Sequence, residues 1–136
     1  MHIFICLSEG GGMMFNHRRQ SRDRVLCEQL LTSLGDRPLY LAPYSEMLFS
    51  PFAHPLYISE DFLDRAGTGD ACFVEDRTLS PYLDRIESLT VYRWNRTYPT
   101  DTVCDLPFDR FTLTAREDFI GSAHEKITKE VYLSNG

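Results

Sequence analysis

Residues 3–35 read IFICLSEGGGMMFNHRRQSRDRVLCEQLLTSLG, and the change of hydrophobic period inside them sets the class of fold. Residues 3–7 are a short apolar run that stops at Ser8-Glu9-Gly10-Gly11-Gly12. That is the pattern of a buried strand entering a glycine turn. Met13-Met14-Phe15-Asn16-His17-Arg18-Arg19-Gln20 follows without a period of either kind and reads as an irregular segment. From Ser21 the spacing becomes helical. Val25, Leu26, Leu30, Leu31 and Leu34 fall on one face, Ser21 stands as the N-cap, and Gly35 supplies the stop.

The rest of the chain repeats the alternation. Residues 38–41 are expected to form a second strand, with Ser45 capping a short helix that runs to Phe49. Residues 56–58 give a third strand, residues 60–66 one or two helical turns, and residues 71–74 a fourth strand. Residues 79–86 read as a short helix with Pro81 in its first turn, and residues 89–94 as a fifth strand. Residues 108–114 and 127–133 alternate apolar and polar side chains and are expected to close the chain as an antiparallel pair. Strands alternate with helices early and stand alone late. The expected architecture is therefore an α/β sheet, mostly parallel, with an antiparallel tail. A chain of 136 residues suits one domain, residues 1–136, around one core.

Fourteen basic against twenty acidic residues leave a net charge of −6, which argues against wrapping duplex nucleic acid but permits a local basic patch. With 12% aromatic residues and mixed charge, the chain is neither collagen-like, disordered nor a coiled coil. No apolar run is long enough to cross a bilayer. Cys6, Cys27, Cys72 and Cys104 form no CxxC pair and read as free, buried thiols in a reducing cytoplasm. The first residues lack the basic leader and long apolar run of a signal peptide, so the expected location is cytoplasmic.

The order of elements resembles the dihydrofolate reductases. The first strand, the glycine turn and Gly12-Met13-Met14-Phe15-Asn16 look like the family's first strand and its mobile Met-Pro-Trp-Asn-like loop. Residues 21–34 match its substrate-side helix, and Arg37-Pro38-Leu39-Tyr40-Leu41-Ala42 its second strand. Ser45 matches the Thr that opens the next helix. Leu56-Tyr57-Ile58-Ser59 looks like the strand that ends in Ser, and Thr100-Asp101-Thr102 resembles the family's Gly-Asp-Thr. Residues 108–133 fit its final hairpin. The resemblance implies a three-layer fold, a cleft for a heterocyclic ligand, and hydride transfer from NADPH.

Three departures from the family pattern concern the cofactor and the substrate. The family's glycine pair is replaced by Val74-Glu75-Asp76, whose carboxylates would repel a pyrophosphate. Gln20 falls where the family has the acid that binds the pterin ring. It can hydrogen-bond a heterocycle but cannot ionise, and Asp23 about one turn on is a substitute. Only residues 60–70 separate the third and fourth strands, which implies a reduced dinucleotide lobe. NADPH is thus disfavoured as a cofactor. Short bacterial chains labelled ribonuclease Z are also similar in type. That activity needs a His-x-His-x-Asp-His metal cluster, whereas His2, His17, His54 and His124 are scattered, and no metal site is expected.

Several side-chain groups are candidates for chemistry. Arg18, Arg19, Arg22 and Arg24 crowd the start of the first helix in an acidic protein. Helix N-termini and arginine forks both favour phosphate or carboxylate, and Arg18 and Arg22 are expected on one helix face. The alternative is a solvated first turn paired to acidic neighbours. Gly121-Ser122-Ala123-His124-Glu125-Lys126 holds a His suited to acid–base work, although a polar hairpin connection between the last two strands is the favoured explanation. Arg93-Trp94 lies in a stretch that alternates aromatic and basic residues, a pattern that can stack single-stranded bases. Tyr92 and Trp94 are expected in the core, Arg93 and Asn95 at the surface. Glu75-Asp76 reads as a strand end or a helix start, and Met13 and Met14 as loop packing.

Three functions stand on these residues. The first is a divergent reductase-like protein that binds a small heterocyclic or phosphorylated ligand through Phe15, Asn16, Arg18, Arg19, Gln20, Arg22, Asp23 and Ser45. Its candidate catalytic groups are Gln20, Asp23 and His124. The second is a nucleotide- or single-stranded-RNA-binding or RNA-processing protein that uses the arginine cluster. The third is an interaction module, such as an antitoxin or immunity factor, whose acidic surface covers a basic protein partner.

Overall fold

A computed structural model describes residues 1–136. In chain order the strands and helices are β1 (His2–Leu7), β2 (Gly12–Phe15), β3 (Arg18–Arg19), α1 (Arg24–Leu34), β4 (Leu39–Leu41), α2 (Glu46–Phe49), β5 (Leu56–Ile58), α3 (Phe62–Arg65), β6 (Ala71–Phe73), β7 (Ser88–Arg93), β8 (Thr102–Val103), β9 (Phe111–Phe119) and β10 (Ile127–Ser134). Single 3-10 turns occupy Pro43–Ser45, Ser80–Arg85 and Phe108–Arg110. The main sheet has seven strands in the order β5-β4-β6-β1-β7-β10-β9. Its first five strands are parallel, and β10 and β9 add antiparallel to β7. The mostly parallel sheet with an antiparallel tail is the architecture the sequence pattern predicts.

β1 is central and shows how the layers form. Ile3, Ile5 and Leu7 point to one face, where they join Phe62, Leu63, Leu79, Ile86, Leu89 and Val91. Phe4 points to the other face and packs with Leu26, Leu30, Leu34, Phe49, Phe73 and Trp94. A strand flanked on both sides reads as a continuous apolar run, and residues 3–7 are such a run. No helix is long and apolar enough to cross a membrane.

Several local expectations are corrected. Residues 13–20 are a β-hairpin, β2–β3, which pairs with β8 in a separate three-stranded sheet. Its two-residue turn is Asn16-His17 with φ of 52° and 60°, the doubly left-handed turn that suits strand twist. Helix α1 starts two residues later than a Ser21 cap implies. Its N-cap is Asp23, extended at φ −152°, whose side chain accepts from the Leu26 N–H at 3.2 Å. Arg18 therefore lies in β3 and Arg22 in the loop before the cap, so the two share no helix face. Residues 79–86 form a 3-10 turn, and β9 begins at Phe111 because Phe108–Arg110 is also 3-10. Between β5 and β6 stands only the four-residue α3.

Candidate functional site

The loop 20–23 between β3 and α1 brings the candidate residues together at the end of the main sheet. Asp23 is fixed first. Its carboxylate accepts four hydrogen bonds, from the N–H of Leu26 (3.2 Å) and Ser122 (2.9 Å) on Oδ1, and from the N–H of Ala123 (2.8 Å) and the Nδ1 of His124 (2.9 Å) on Oδ2. Burial pushes this carboxyl up, but the His124 bond and the three backbone N–H bonds outweigh it and hold the group at about 2. Gly121 is required here by close approach, since a Cβ would lie 2.2 Å from the carboxylate. Asp23 is thus a clasp between α1 and the loop 121–124. It has no lone pair left for a heterocycle, contrary to its expected role as a substitute acid.

His124 lies in the connection between β9 and β10, as expected, but its side chain is buried, with 5% exposure. Its Nε2 lies 2.8 Å from Ser21 Oγ and 3.4 Å from the Tyr98 hydroxyl. Its ring stacks on Trp94 with centroids 4.4 Å apart. An ionised Asp23 can only accept, so the network assigns the ring proton to Nδ1 and leaves Nε2 to accept. Ser21 does not cap α1, whose cap is Asp23. Its place in this chain could not be seen in sequence, because His124 lies 103 residues away.

Other candidates are engaged elsewhere. Arg19 donates to both oxygens of Glu75, at 2.8 and 3.0 Å, and lies over the Tyr44 ring at 4.4 Å. Glu75 also accepts from Ser45 Oγ at 2.7 Å. Ser45 therefore makes no cap bond on α2, and Glu75 starts no helix. Gln20 Nε2 donates to Pro99 O and Thr100 Oγ1, while its Oε1 is buried with no donor. The Asn16 N–H donates to Asp101, and Phe15 stands exposed at the hairpin tip. Arg18, Arg22 and Arg24 have no carboxylate within ion-pair distance. Tyr92 and Trp94 are core, Arg93 pairs with Glu130 at 2.6 Å, and Asn95 donates to Lys126 O and Thr128. With its aromatics buried, this strand offers no face for bases to stack on.

The space around these residues is graded. A narrow slot bounded by Cys6, Met13, Leu26, Phe73, Glu75 and Trp94 has a volume of about 20 Å³, room for about one water. All four cysteines are free thiols. Burial pushes the Cys27 thiol up to about 12 and the Cys6 thiol well above its usual range, so neither is a nucleophile near neutrality. Ligand-sized space lies at the mouth of the slot. An open hollow of about 530 Å³ is lined by Arg18, Arg19, Ser21, Arg22 and Tyr44. A second, of about 350 Å³, lies between Arg22, Arg24, Met47, Phe52 and Ser122. No group of three His, Cys, Asp or Glu side chains has metal-binding geometry.

Among solved structures, the chain is similar to dihydrofolate reductase from Enterococcus faecalis complexed with NADP(H) and RAB-propyl. The TM-score is 0.68 at 8% identity, over 99% of this chain and 96% of that one. The fold is therefore dihydrofolate-reductase-like, a mixed α/β fold with a mostly parallel sheet and a C-terminal antiparallel hairpin. No protein-family model and no curated protein matches the sequence.

Proposed function

We propose that this protein binds a small anionic ligand, phosphorylated or carboxylated, in the hollow lined by Arg18, Ser21, Arg22 and Tyr44. The observation that carries the reading is the pair Arg18 and Arg22, which have no carboxylate partner in a chain of net charge −6 and flank a hollow of about 530 Å³. Unpaired guanidinium groups beside free space favour phosphate or carboxylate. Phe15 and Gln20 border the adjoining hollow of Arg18 and Tyr98, where a heterocyclic part of the ligand fits.

NADPH stays disfavoured as a cofactor. The segment after β6 carries Glu75, bound to Arg19 and Ser45, where the family's glycine pair would meet a pyrophosphate. Reduction by NADPH is therefore the less favoured part of the proposal. Single-stranded RNA loses the Trp94 stacking face, which is buried, and keeps only the arginines; a protein partner is the alternative if neither RNA nor a small ligand binds.

The test is a thermal-shift panel of mononucleotides, pterins, NADPH, short RNA and inorganic pyrophosphate at low and high salt. A ligand that binds only the native state raises Tm. A salt-sensitive shift with phosphate-bearing compounds is expected, and Arg18→Ala and Arg22→Ala should reduce it while leaving the unliganded stability within about 0.5 kcal/mol of wild type. A shift with NADPH that Arg18→Ala does not change, or no shift with any compound, rejects the proposed site.

A further inference from the structure

The hydrogen-bonded chain from Asp23 through His124 ends on a partly exposed hydroxyl, Ser21 Oγ, at the wall of an open hollow. Such a chain has the parts of an activated nucleophile: an acid that orients an imidazole, and an imidazole nitrogen facing an alcohol at 2.8 Å. These parts are recognised by geometry and not by order in sequence. The ring cannot turn away, because Nδ1 is held by Asp23 at 2.9 Å and its face by Trp94. The carboxylate cannot turn away either, because three backbone N–H groups fix it. Ser21 also lines the slot and the hollow where Arg18 and Arg22 stand. The N–H groups of Arg22 and Asp23 make no hydrogen bond inside the protein, so donors remain free in the segment beside the hydroxyl.

We infer that Ser21 is an acyl-accepting nucleophile with His124 as its general base, and that its substrate class is a carboxylate- or phosphate-bearing ester. The substrate's charge rests on the anion-binding reading above, while the reaction rests on the Ser21–His124–Asp23 geometry. In the first half-reaction a bond forms between Ser21 Oγ and the ester carbonyl carbon, and the hydroxyl proton passes to His124 Nε2. The carbonyl oxygen carries the negative charge, met by Arg22 and the free amides. The carbon–oxygen bond to the leaving alcohol then breaks, and the alcohol takes the proton from Nε2. In the second half a water attacks the acyl-serine, gives its proton to Nε2, and releases the acid as Ser21 recovers that proton. No electrons change hands and water is the only co-reactant. Ser21 and His124 are the catalytic residues; Asp23 positions the ring.

The experiment uses the whole chain with a fluorophosphonate probe, followed by mass mapping, together with hydrolysis of 4-nitrophenyl acetate and mono-4-nitrophenyl adipate. Inorganic pyrophosphate thermal shifts are measured in parallel. The expected result is a phosphonate adduct on Ser21, faster turnover of the anionic ester, and a preference for it that shrinks in Arg22→Ala. Turnover should fall at least about 100-fold in Ser21→Ala and His124→Gln. Ser21→Ala removes only a partly exposed hydroxyl, so its retained Tm separates chemistry from folding. In Asp23→Asn, kcat should fall while KM holds, which a merely structural role does not produce. Absence of a Ser21 adduct in wild type, or unchanged turnover in Ser21→Ala, overturns the inference even where the pyrophosphate shift persists and the binding reading stands. An adduct without any pyrophosphate shift supports the nucleophile and rejects the anionic substrate class.

Discussion

Asp23 concentrates more structure on one side chain than any other polar residue here. It caps α1, holds the loop 121–124 and orients His124. Its carboxyl sits at about 2 in the folded chain against roughly 3.9 when unfolded. A depressed carboxyl stabilises the fold fully above its unfolded value and loses that contribution as pH falls toward its folded one. The gap corresponds to between about 2 and 3 kcal/mol. Urea unfolding of wild type and Asp23→Asn, followed from pH 7 to pH 2, should therefore show a stability difference that is constant at the upper end and shrinks below about pH 4. A difference independent of pH would mean that the carboxylate's charge is not what stabilises. Gly121→Ala should lower stability by about 2 kcal/mol or more, because its Cβ would lie 2.2 Å from the Asp23 carboxylate. The sequence points to Ser21 as the cap and to Asp23 as a ligand-binding acid, whereas Asp23 is the residue that caps the helix. It offered nothing that joined it to His124, since that contact spans 101 residues.

Among the elements, the β2–β3 hairpin was the hardest to read. Its turn carries no glycine, and β3 has only two residues, so neither turn chemistry nor alternation announces it. Asn16 suits a left-handed turn position, and His17 at φ 60° is less favourable there than the glycine such turns prefer. His17→Gly is expected to raise stability by about 0.5 kcal/mol, visible as a Tm a few degrees higher. An unchanged or lower Tm would mean that the His17 side chain stabilises the turn. The longer elements were legible because their periods are strong. β1 is a five-residue apolar run inside a six-residue strand, and α1 shows its buried face at Leu26, Leu30, Leu31 and Leu34. The 3-10 turns at Ser80–Arg85 and Phe108–Arg110 mimic helix and strand in sequence.

At the scale of the whole molecule, the small sheet is joined to the large one by Arg19 and Glu75. Their side chains are only 15% and 8% exposed. Removing one partner of such a pair strands a desolvated charge, so Arg19→Met and Glu75→Gln should each cost about 3 kcal/mol. The double variant should cost less than the sum of the two, which a double-mutant cycle by chemical denaturation measures. Additive losses would show that the pair is not a latch. This ion pair also explains why reading the arginines as one cluster fails. Arg19 belongs to the fold, whereas Arg18 and Arg22 are free beside the hollow. The sequence by itself determined the α/β class, the chain order of the seven main-sheet strands and of α1, and the apolar faces that must be buried, because periodicity and turn residues act over a few positions. The tertiary structure alone decided which charges are used up internally and which face open space. It also decided that Ser21, Asp23 and His124 meet, because those outcomes depend on distances between segments far apart in the chain, which no local pattern encodes.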